Sequence, residues 1–184
     1  MNSTMIALLA AGSATRFGGG KLDAPLQGRP LGRWALDRAR AQGGEPVVVC
    51  GTNPPAFAAG CRLIINHDAT AGMGTSIRLA AHAAHESGAA RLLIMLADMP
   101  FVSDATLRAL ADGCGTGAAA CTYPDGALGP PACFHASLYP LLTALPPEKG
   151  AQGLLRAISG LRQITPAPTE LADIDTQEDL ARLG

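Results

Sequence analysis

The sequence has little charge and few aromatic side chains. Charged residues make up 16% of the chain and the formal net charge is −1, so the chain lacks the basic field that holds a nucleic-acid backbone. No run of 18 or more apolar residues occurs, and residues 1–4 are too short and uncharged to form the start of a signal peptide. We therefore expect a soluble, cytoplasmic protein that binds neither nucleic acid nor a membrane.

The cysteines show no pairing pattern. They are odd in number and scattered, and neither a CxxC motif nor a paired histidine cluster accompanies them. This distribution argues against a disulfide framework and against a structural zinc site. We expect all of them to be small buried residues: Cys50, Cys61, Cys114, Cys121 and Cys133.

Short apolar runs alternate with amphipathic segments along the chain. The runs PVVVC (46–50) and RLLIML (91–96) are almost wholly aliphatic, which is typical of strands buried on both faces of a parallel sheet. Residues 30–42 carry apolar side chains on one helical face and begin at a proline. The pattern predicts a three-layer α/β fold with a mostly parallel, Rossmann-like sheet of about seven strands, in a single domain over residues 1–184.

The most informative stretch is IALLAAGSATRFGGGK, residues 6–21. An apolar run gives way to small residues and glycines, which lets a ligand approach the backbone closely. Arg16 and Lys21 are the only charges here, and backbone N–H groups beside two cations suit a triphosphate. A tight turn with two solvated cations would have the same composition. Lys21 is followed by Leu22, so the stretch is not a Walker A loop, and the glycines do not run straight into a helix as in a dinucleotide-binding loop.

This stretch resembles the nucleotidyltransferase signature L-A-A-G-x-S/G-x-R-M/F-G-x-x-K. Residues 21–31 continue it, resembling K-x-x-A/L-P-L-x-G-R-P-L. On these motifs the chain is similar to the MobA-like NTP transferases, and within them to the molybdopterin cytidylyltransferases. The resemblance implies catalytic roles for Arg16 and Lys21, which would neutralise the triphosphate. It also implies nucleotide binding by the loop residues Ala10, Ala11, Gly12, Ser13, Arg16 and Lys21.

A second loop, HDATAGMGTS, follows Asn66. It ends in two hydroxyl side chains, Thr75 and Ser76, at the expected start of a helix over about 75–87, where they can cap the helix or bind an anion. A capped helix after a flexible loop would have the same spacing. The loop also resembles the nucleotide-contacting loop of the cytidylyltransferases. That resemblance implies contacts to the base and ribose from Asn66, Gly72, Gly74 and Ser76.

Asp98 follows the apolar run 91–96. A carboxylate at the carboxyl end of a central parallel strand lies at the ligand crevice of α/β sheets, and Mg²⁺ prefers such oxygen ligands. An aspartate that starts a turn before Pro100 would look the same. Asp98 and Pro100 coincide with the strand-D-x-P motif of the family, which implies that Asp98 is catalytic and binds Mg²⁺.

A second carboxylate is expected from the end of the chain. Residues 173–180 resemble the family segment D-I-D-T-P-E-D-L, and Asp175 would complete the magnesium site with Asp98. Thr176 and Asp179 also fit a helix N-cap on their own.

The resemblance implies transfer of CMP from CTP to the phosphate of molybdopterin carrying molybdenum, with release of pyrophosphate. A molybdoenzyme or its chaperone is a possible partner. Two alternatives stay open: guanylyl or sugar-1-phosphate nucleotidyl transfer, and a non-catalytic nucleotide- or cofactor-binding protein. The second is motivated by Gln152 and Gln177, which replace the arginine and the proline usual in the family.

Overall fold

Nine strands and six α-helices alternate along residues 3–12 and 17–183, which this computed structural model describes. The strands are β1 (Thr4–Ala10), β2 (Pro25–Leu26), β3 (Arg29–Pro30), β4 (Val47–Cys50), β5 (Arg62–Ile65), β6 (Arg91–Leu96), β7 (Ala118–Thr122), β8 (Leu128–His135) and β9 (Arg162–Ile164). The helices are α1 (Leu31–Ala41), α2 (Met73–Glu86), α3 (Asp104–Gly113), α4 (Tyr139–Thr143), α5 (Gln152–Ala157) and α6 (Gln177–Leu183).

Seven strands form one sheet in the order β5-β4-β1-β6-β8-β7-β9, and β2 and β3 form a small hairpin apart from it. The sheet is parallel except for β8, which runs antiparallel to both β6 and β7. The central pair β1 and β6 is parallel, with Leu8 opposite Met95, and both runs are apolar because both of their faces are covered. The predicted mostly parallel α/β fold with about seven strands is confirmed.

Two apolar layers cover the two faces of the sheet. Alternate residues of β1 enter opposite layers, with Leu8 packing on the side of α1 and α3 and Leu9 on the side of α2, α4 and α5. Because successive side chains of a strand point to opposite faces, one apolar strand supplies both layers. The helices meet the sheet largely through small residues, among them Ala80, Ala81 and Ala84 of α2, which have no exposed surface.

The strands β5, β4, β1 and β6 run in the same direction, so their carboxyl ends share one edge of the sheet. The loops that follow them meet at this edge, where open α/β sheets bind their ligands. The end of the chain returns to the same place, because the Ile174 N–H donates to the Asp98 carbonyl over 3.2 Å.

The cysteines are free thiols, and four of them are buried as expected, whereas Cys61 is partly exposed. Across residues 3–12 and 17–183, we find no helix with the length and apolar character needed to span a bilayer.

Candidate active site

Three adjacent cavities at this edge of the sheet all border Gly12. We name the cavity lined by Lys21 the lysine cavity, with a volume of about 270 Å³. The serine cavity is lined by Ser76 and has a volume of about 540 Å³. The loop cavity is lined by Thr52, in the loop after β4, and has a volume of about 490 Å³. Asp98 borders both the lysine cavity and the serine cavity. The side chains that distinguish the cavities are Lys21 and Asp23 in the first, Met73, Ser76 and Leu96 in the second, and Thr52, Asn66 and His67 in the third.

Three consecutive glycines lead into Lys21. Gly18, Gly19 and Gly20 have φ values of 90°, 96° and 62°, which a residue with a Cβ atom adopts only with strain. They are followed by a short 3-10 turn, Lys21–Asp23, and Lys21 is only 8% exposed although it is charged. The glycines therefore turn the chain so that a lysine enters the crevice. Ser13 and Arg16, predicted to bind phosphate, lie outside the described residues.

The Lys21 ammonium lies between two carboxylates. Its Nζ is 2.7 Å from Asp98 Oδ2 and 3.1 Å from Asp175 Oδ1. The three side chains are 9%, 23% and 31% exposed, in the order Lys21, Asp98, Asp175. The sequence predicted all three for one site, with the lysine on phosphate and the aspartates on metal. The structure brings them together as one ion-paired triad.

The charges of this triad reinforce one another. Burial alone would lower the pKa of Lys21, but the hydrogen bonds and charges of Asp98 and Asp175 outweigh it and raise that pKa, so the ammonium stays charged. Burial raises the pKa of Asp173, and the nearby charges of Asp175 and Asp98 add to the effect. Two carboxylates thus contact one cation and a third acidic side chain lies within their electrostatic range, which favours binding of a second cation at this position.

The two carboxylates fit a divalent metal. Mg²⁺ commonly uses one or two carboxylates and takes its remaining ligands from water and substrate phosphates. Within the described part of the chain, no group of three or more His, Cys, Asp or Glu side chains is arranged to hold a metal ion. A metal at Asp98 and Asp175 would therefore complete its coordination with oxygens of the substrate.

Asp23 and Asn53 belong to the site although the sequence analysis did not select them. The Asp23 carboxylate accepts hydrogen bonds from the N–H groups of Ala56 at 2.8 Å and Phe57 at 2.7 Å. These bonds connect residues 17–23, which we call the glycine loop, to the loop after β4. Asn53 lies in the loop after β4 and borders both the lysine cavity and the loop cavity. A polar residue before two prolines, directly after a buried strand, was the signal available in the sequence.

Asn66 is 2% exposed, and its side chain bonds inside the protein. Its Nδ2 lies 2.8 Å from Thr75 Oγ1 and 2.9 Å from Ser76 Oγ, and its Oδ1 accepts from the Asp68 N–H at 3.0 Å. Of the two roles that the sequence allowed for these hydroxyls, capping of the helix is not observed. Helix α2 begins two residues before Thr75, Gly72 holds the N-cap position without a side-chain bond, and Asn66 engages both hydroxyls in the first turn.

Gly72 and Gly74 bring α2 against the segment 146–149. A Cβ atom at Gly74 would lie 2.1 Å from the Pro146 carbonyl oxygen, and one at Gly72, where φ is 125°, would lie 2.7 Å from Glu148 Cα. Only glycine allows this approach of two backbones. Ser76 and Gly72 border the serine cavity beside Met73. Asn66 borders the loop cavity instead, and Gly74 lies in the packed interface with the segment 146–149.

The start of α6 is held against the glycine loop. Thr176 and Asp179 form a reciprocal cap, in which the Asp179 N–H donates to Thr176 Oγ1 at 3.1 Å and the Thr176 N–H donates to Asp179 Oδ2 at 3.0 Å. Gln177 Nε2 donates to the Phe17 carbonyl at 3.4 Å. The glutamine that replaces the usual proline therefore links the end of the chain to the glycine loop.

Comparison with known proteins identifies the family of the chain and several relatives. The family model described as MobA-like NTP transferase domain matches residues 6–164. Purine catabolism protein PucB of Bacillus subtilis (strain 168) is 30% identical over 93% of this chain and 91% of its own length. Nicotine blue oxidoreductase of Paenarthrobacter nicotinovorans is 32% identical over 96% of this chain and 94% of its own.

Among solved structures, the chain is similar to Rv0371c from Mycobacterium tuberculosis H37Rv. The TM-score is 0.80 at 30% identity, covering 100% of this chain and 98% of that one. A second structure of Rv0371c, in complex with manganese, gives a TM-score of 0.76 at 28% identity, covering 98% of this chain and 97% of that one. A homologue with this fold therefore binds a divalent metal ion.

Proposed function

Since the chain belongs to the MobA-like NTP transferase family, a family of nucleotidyltransferases, we propose that it transfers CMP from CTP to the phosphate of molybdopterin carrying molybdenum. The observation that carries the proposal is the triad at the carboxyl edge of the sheet, where the Lys21 ammonium lies within 3.1 Å of two carboxylates. A cation for phosphates and a carboxylate pair for a metal are the groups that nucleotidyl transfer requires.

The reaction needs no nucleophile from the protein. An oxygen of the acceptor phosphate attacks the α-phosphorus of CTP and forms a new P–O bond. The bond from the α-phosphorus to the oxygen that bridges to the β-phosphate breaks, and its electron pair leaves with pyrophosphate. Catalysis then consists of aligning two phosphates and neutralising charge.

The site residues divide this work by position. Lys21 and Arg16 would neutralise the triphosphate and the departing pyrophosphate, beside the backbone from Ala10 to Ser13. Asp98 and Asp175 would hold Mg²⁺. When bound, the metal would supply positive charge that neutralises and orients the substrate phosphates.

The second loop is the proposed nucleoside site. Gly72 and Ser76 border the serine cavity, Asn66 bonds to Ser76, and Gly74 packs on the segment 146–149. The cavity is large enough for a nucleoside and also borders Asp98. A nucleotide lying along this cavity would place its base at Ser76 and its phosphates at the triad. The resemblance of the GMGTS sequence to cytidylyltransferase loops favours cytosine.

The acceptor proposal draws on the family and on a relative. PucB is named for purine catabolism, and the resemblance to molybdopterin cytidylyltransferases implies the dinucleotide cofactor of xanthine-dehydrogenase-type enzymes. We accordingly expect a molybdoenzyme or its chaperone as the recipient of the product, and a cytoplasmic location, where CTP is available.

Oxidoreduction is a second candidate, favoured by the 32% identity to nicotine blue oxidoreductase over nearly the whole chain. Such a reaction needs a hydride or electron carrier and releases no pyrophosphate. The two functions are therefore separable by product.

The test is pyrophosphate release with molybdenum-loaded molybdopterin and Mg²⁺, using CTP, GTP, ATP and UTP in parallel and an NADPH-oxidation assay beside them. We expect release with CTP alone, its loss in Lys21→Met, and its retention in Arg108→Ala, which removes an exposed cation from α3. Release with GTP alone would instead show a guanylyltransferase. Nucleotide binding without release would show a non-catalytic protein, and NADPH oxidation without release would show an oxidoreductase.

A further inference from the structure

Asn66 connects the end of β5 to the first turn of α2 from inside the protein. Its N–H donates to the Cys50 carbonyl at 2.7 Å, which fixes its backbone at the sheet edge. Its side-chain oxygen and nitrogen then bond to Asp68, Thr75 and Ser76. The side chain is nearly inaccessible to solvent, and both of its polar atoms are bonded inside the protein.

The orientation of the Asn66 amide follows from its partners. A backbone N–H is only a donor, so the group that faces the Asp68 N–H must be the amide oxygen. The NH₂ group is then directed at Thr75 Oγ1 and Ser76 Oγ, and it has no lone pair to offer them. Both hydroxyl oxygens must therefore accept a hydrogen bond from the Asn66 NH₂ group.

The two hydroxyls differ in the acceptor to which each O–H donates. Thr75 Oγ1 lies 2.7 Å from the Gly72 carbonyl and donates to it. For the Ser76 hydroxyl, no acceptor is found among residues 3–12 and 17–183, although Ser76 is only 4% exposed. Ser76 borders the serine cavity together with Ala11 and Gly12, whereas Thr75 does not border it.

We propose that Asn66 is a positioning residue that makes Ser76 a hydrogen-bond donor to an acceptor atom of the nucleobase. Asn66 itself then does not touch the nucleotide. The inference rests on the proposed function for its ligand, CTP, whose cytosine ring offers the acceptors O2 and N3. The amide favours this polarity of the contact, since its N–H group occupies an acceptor site of Ser76 Oγ and leaves the Ser76 O–H, which has no acceptor among residues 3–12 and 17–183, to donate to the base.

The test reverses this polarity with Asn66→Asp. Aspartate has nearly the same shape and keeps the bond from the Asp68 N–H. Its second oxygen accepts hydrogen bonds instead of donating them, so the Ser76 hydroxyl would donate to this oxygen and not to the base. The measurement is isothermal titration calorimetry of CTP and of inorganic tripolyphosphate, which lacks the base. The quantity compared between variants is the ratio of the Kd for CTP to the Kd for tripolyphosphate. Loss of one neutral hydrogen bond predicts that CTP binding weakens about tenfold relative to tripolyphosphate. A general effect of the added charge weakens both ligands and cancels in the ratio.

Two further variants separate positioning from support of the loop. Ser76→Ala should change the ratio by a similar factor, and the Asn66→Asp, Ser76→Ala double variant by no more than either single change. Thr75→Val removes the other hydroxyl held by Asn66 and should lower thermal stability without changing the ratio. An unchanged ratio in Asn66→Asp, or additive effects in the double variant, would overturn the inference.

The wild-type protein provides a second measurement if Asn66→Asp does not fold. By NMR, both side-chain amide protons of Asn66 should be protected from exchange with water and remain protected when CTP binds. Loss of protection on binding would mean that Asn66 turns to the nucleotide, which contradicts the inference. Failure of wild-type protein to bind CTP would instead refute the proposed function as well, whereas CTP binding with an unchanged ratio refutes only the role of Asn66.

Discussion

Replacing Lys21 by methionine should change metal binding and turnover in opposite directions. Lys21→Met keeps the buried stem but removes the ammonium that donates to Asp98 and Asp175. A hydrogen bond to a charged group contributes about 1.5–3 kcal/mol, and since both carboxylates are partly exposed we take about 1 kcal/mol for each. A metal that binds the aspartates without nucleotide must displace both bonds. The variant should therefore bind the metal about 30-fold more tightly, which corresponds to roughly 2 kcal/mol.

The assay is titration of nucleotide-free protein with Mn²⁺, followed by EPR of the free ion. Pyrophosphate release with CTP is measured on the same preparations, and we expect it to fall by about 10²–10³, as when one preorganised charge donor is removed from an active site. Arg108→Ala should change neither quantity. Metal affinity that is equal or weaker in Lys21→Met would refute the competition between ammonium and metal, and full turnover would refute the catalytic role of Lys21.

Three other predictions concern stability and reactivity. Burial alone would raise the pKa of Glu170, but hydrogen bonds from the first residues of α3 outweigh it and lower that pKa. Its contribution to stability is therefore present above its ordinary value of 4.5 and is lost as pH falls below it. Glu170→Gln should flatten the dependence of unfolding free energy on pH in that acid range, and an unchanged slope would contradict this. Gly74→Ala should destabilise by about 1–3 kcal/mol in urea unfolding, because its methyl group would meet backbone oxygens of the segment 146–149, whereas Gly153→Ala in α5, with open space around it, should be neutral or stabilising. A thiol reagent should label Cys61 first in the native protein, and rapid labelling that persists in Cys61→Ser would contradict the burial of the other four cysteines.

The sequence predicted what depends on local pattern. The aliphatic runs of β1 and β6 indicated strands of a mostly parallel sheet buried on both faces, whereas their pairing with each other is visible only in the structure. The start of α2 was placed two residues late because Thr75 and Ser76 have the composition of caps. Their partner, Asn66, reaches them only after the turn at Gly72, whose positive φ no local pattern specified.

Partners distant in sequence could be assigned to one site but not to one another. Lys21 lies 77 positions from Asp98 and 154 from Asp175, so the ion pairing of a predicted phosphate ligand with predicted metal ligands appears only in three dimensions. The Asp23 clamp on the loop after β4 was missed for the same reason. Its two amide partners carry no side-chain signature that a sequence pattern could show.

The two departures from the family pattern differ in their consequences. Gln177 donates a hydrogen bond to the Phe17 carbonyl. This replacement therefore keeps the end of the chain bonded to the glycine loop, which lies on the side of the crevice proposed to bind CTP. Gln152 is exposed at the first position of α5, directly after the segment that packs on Gly72 and Gly74. The triad of Lys21, Asp98 and Asp175 is complete, whereas position 152 lacks the exposed cation that an arginine would offer to an acceptor phosphate. If the chain differs from its relatives in substrate, the difference is therefore expected in the acceptor rather than in the chemistry of the nucleotide.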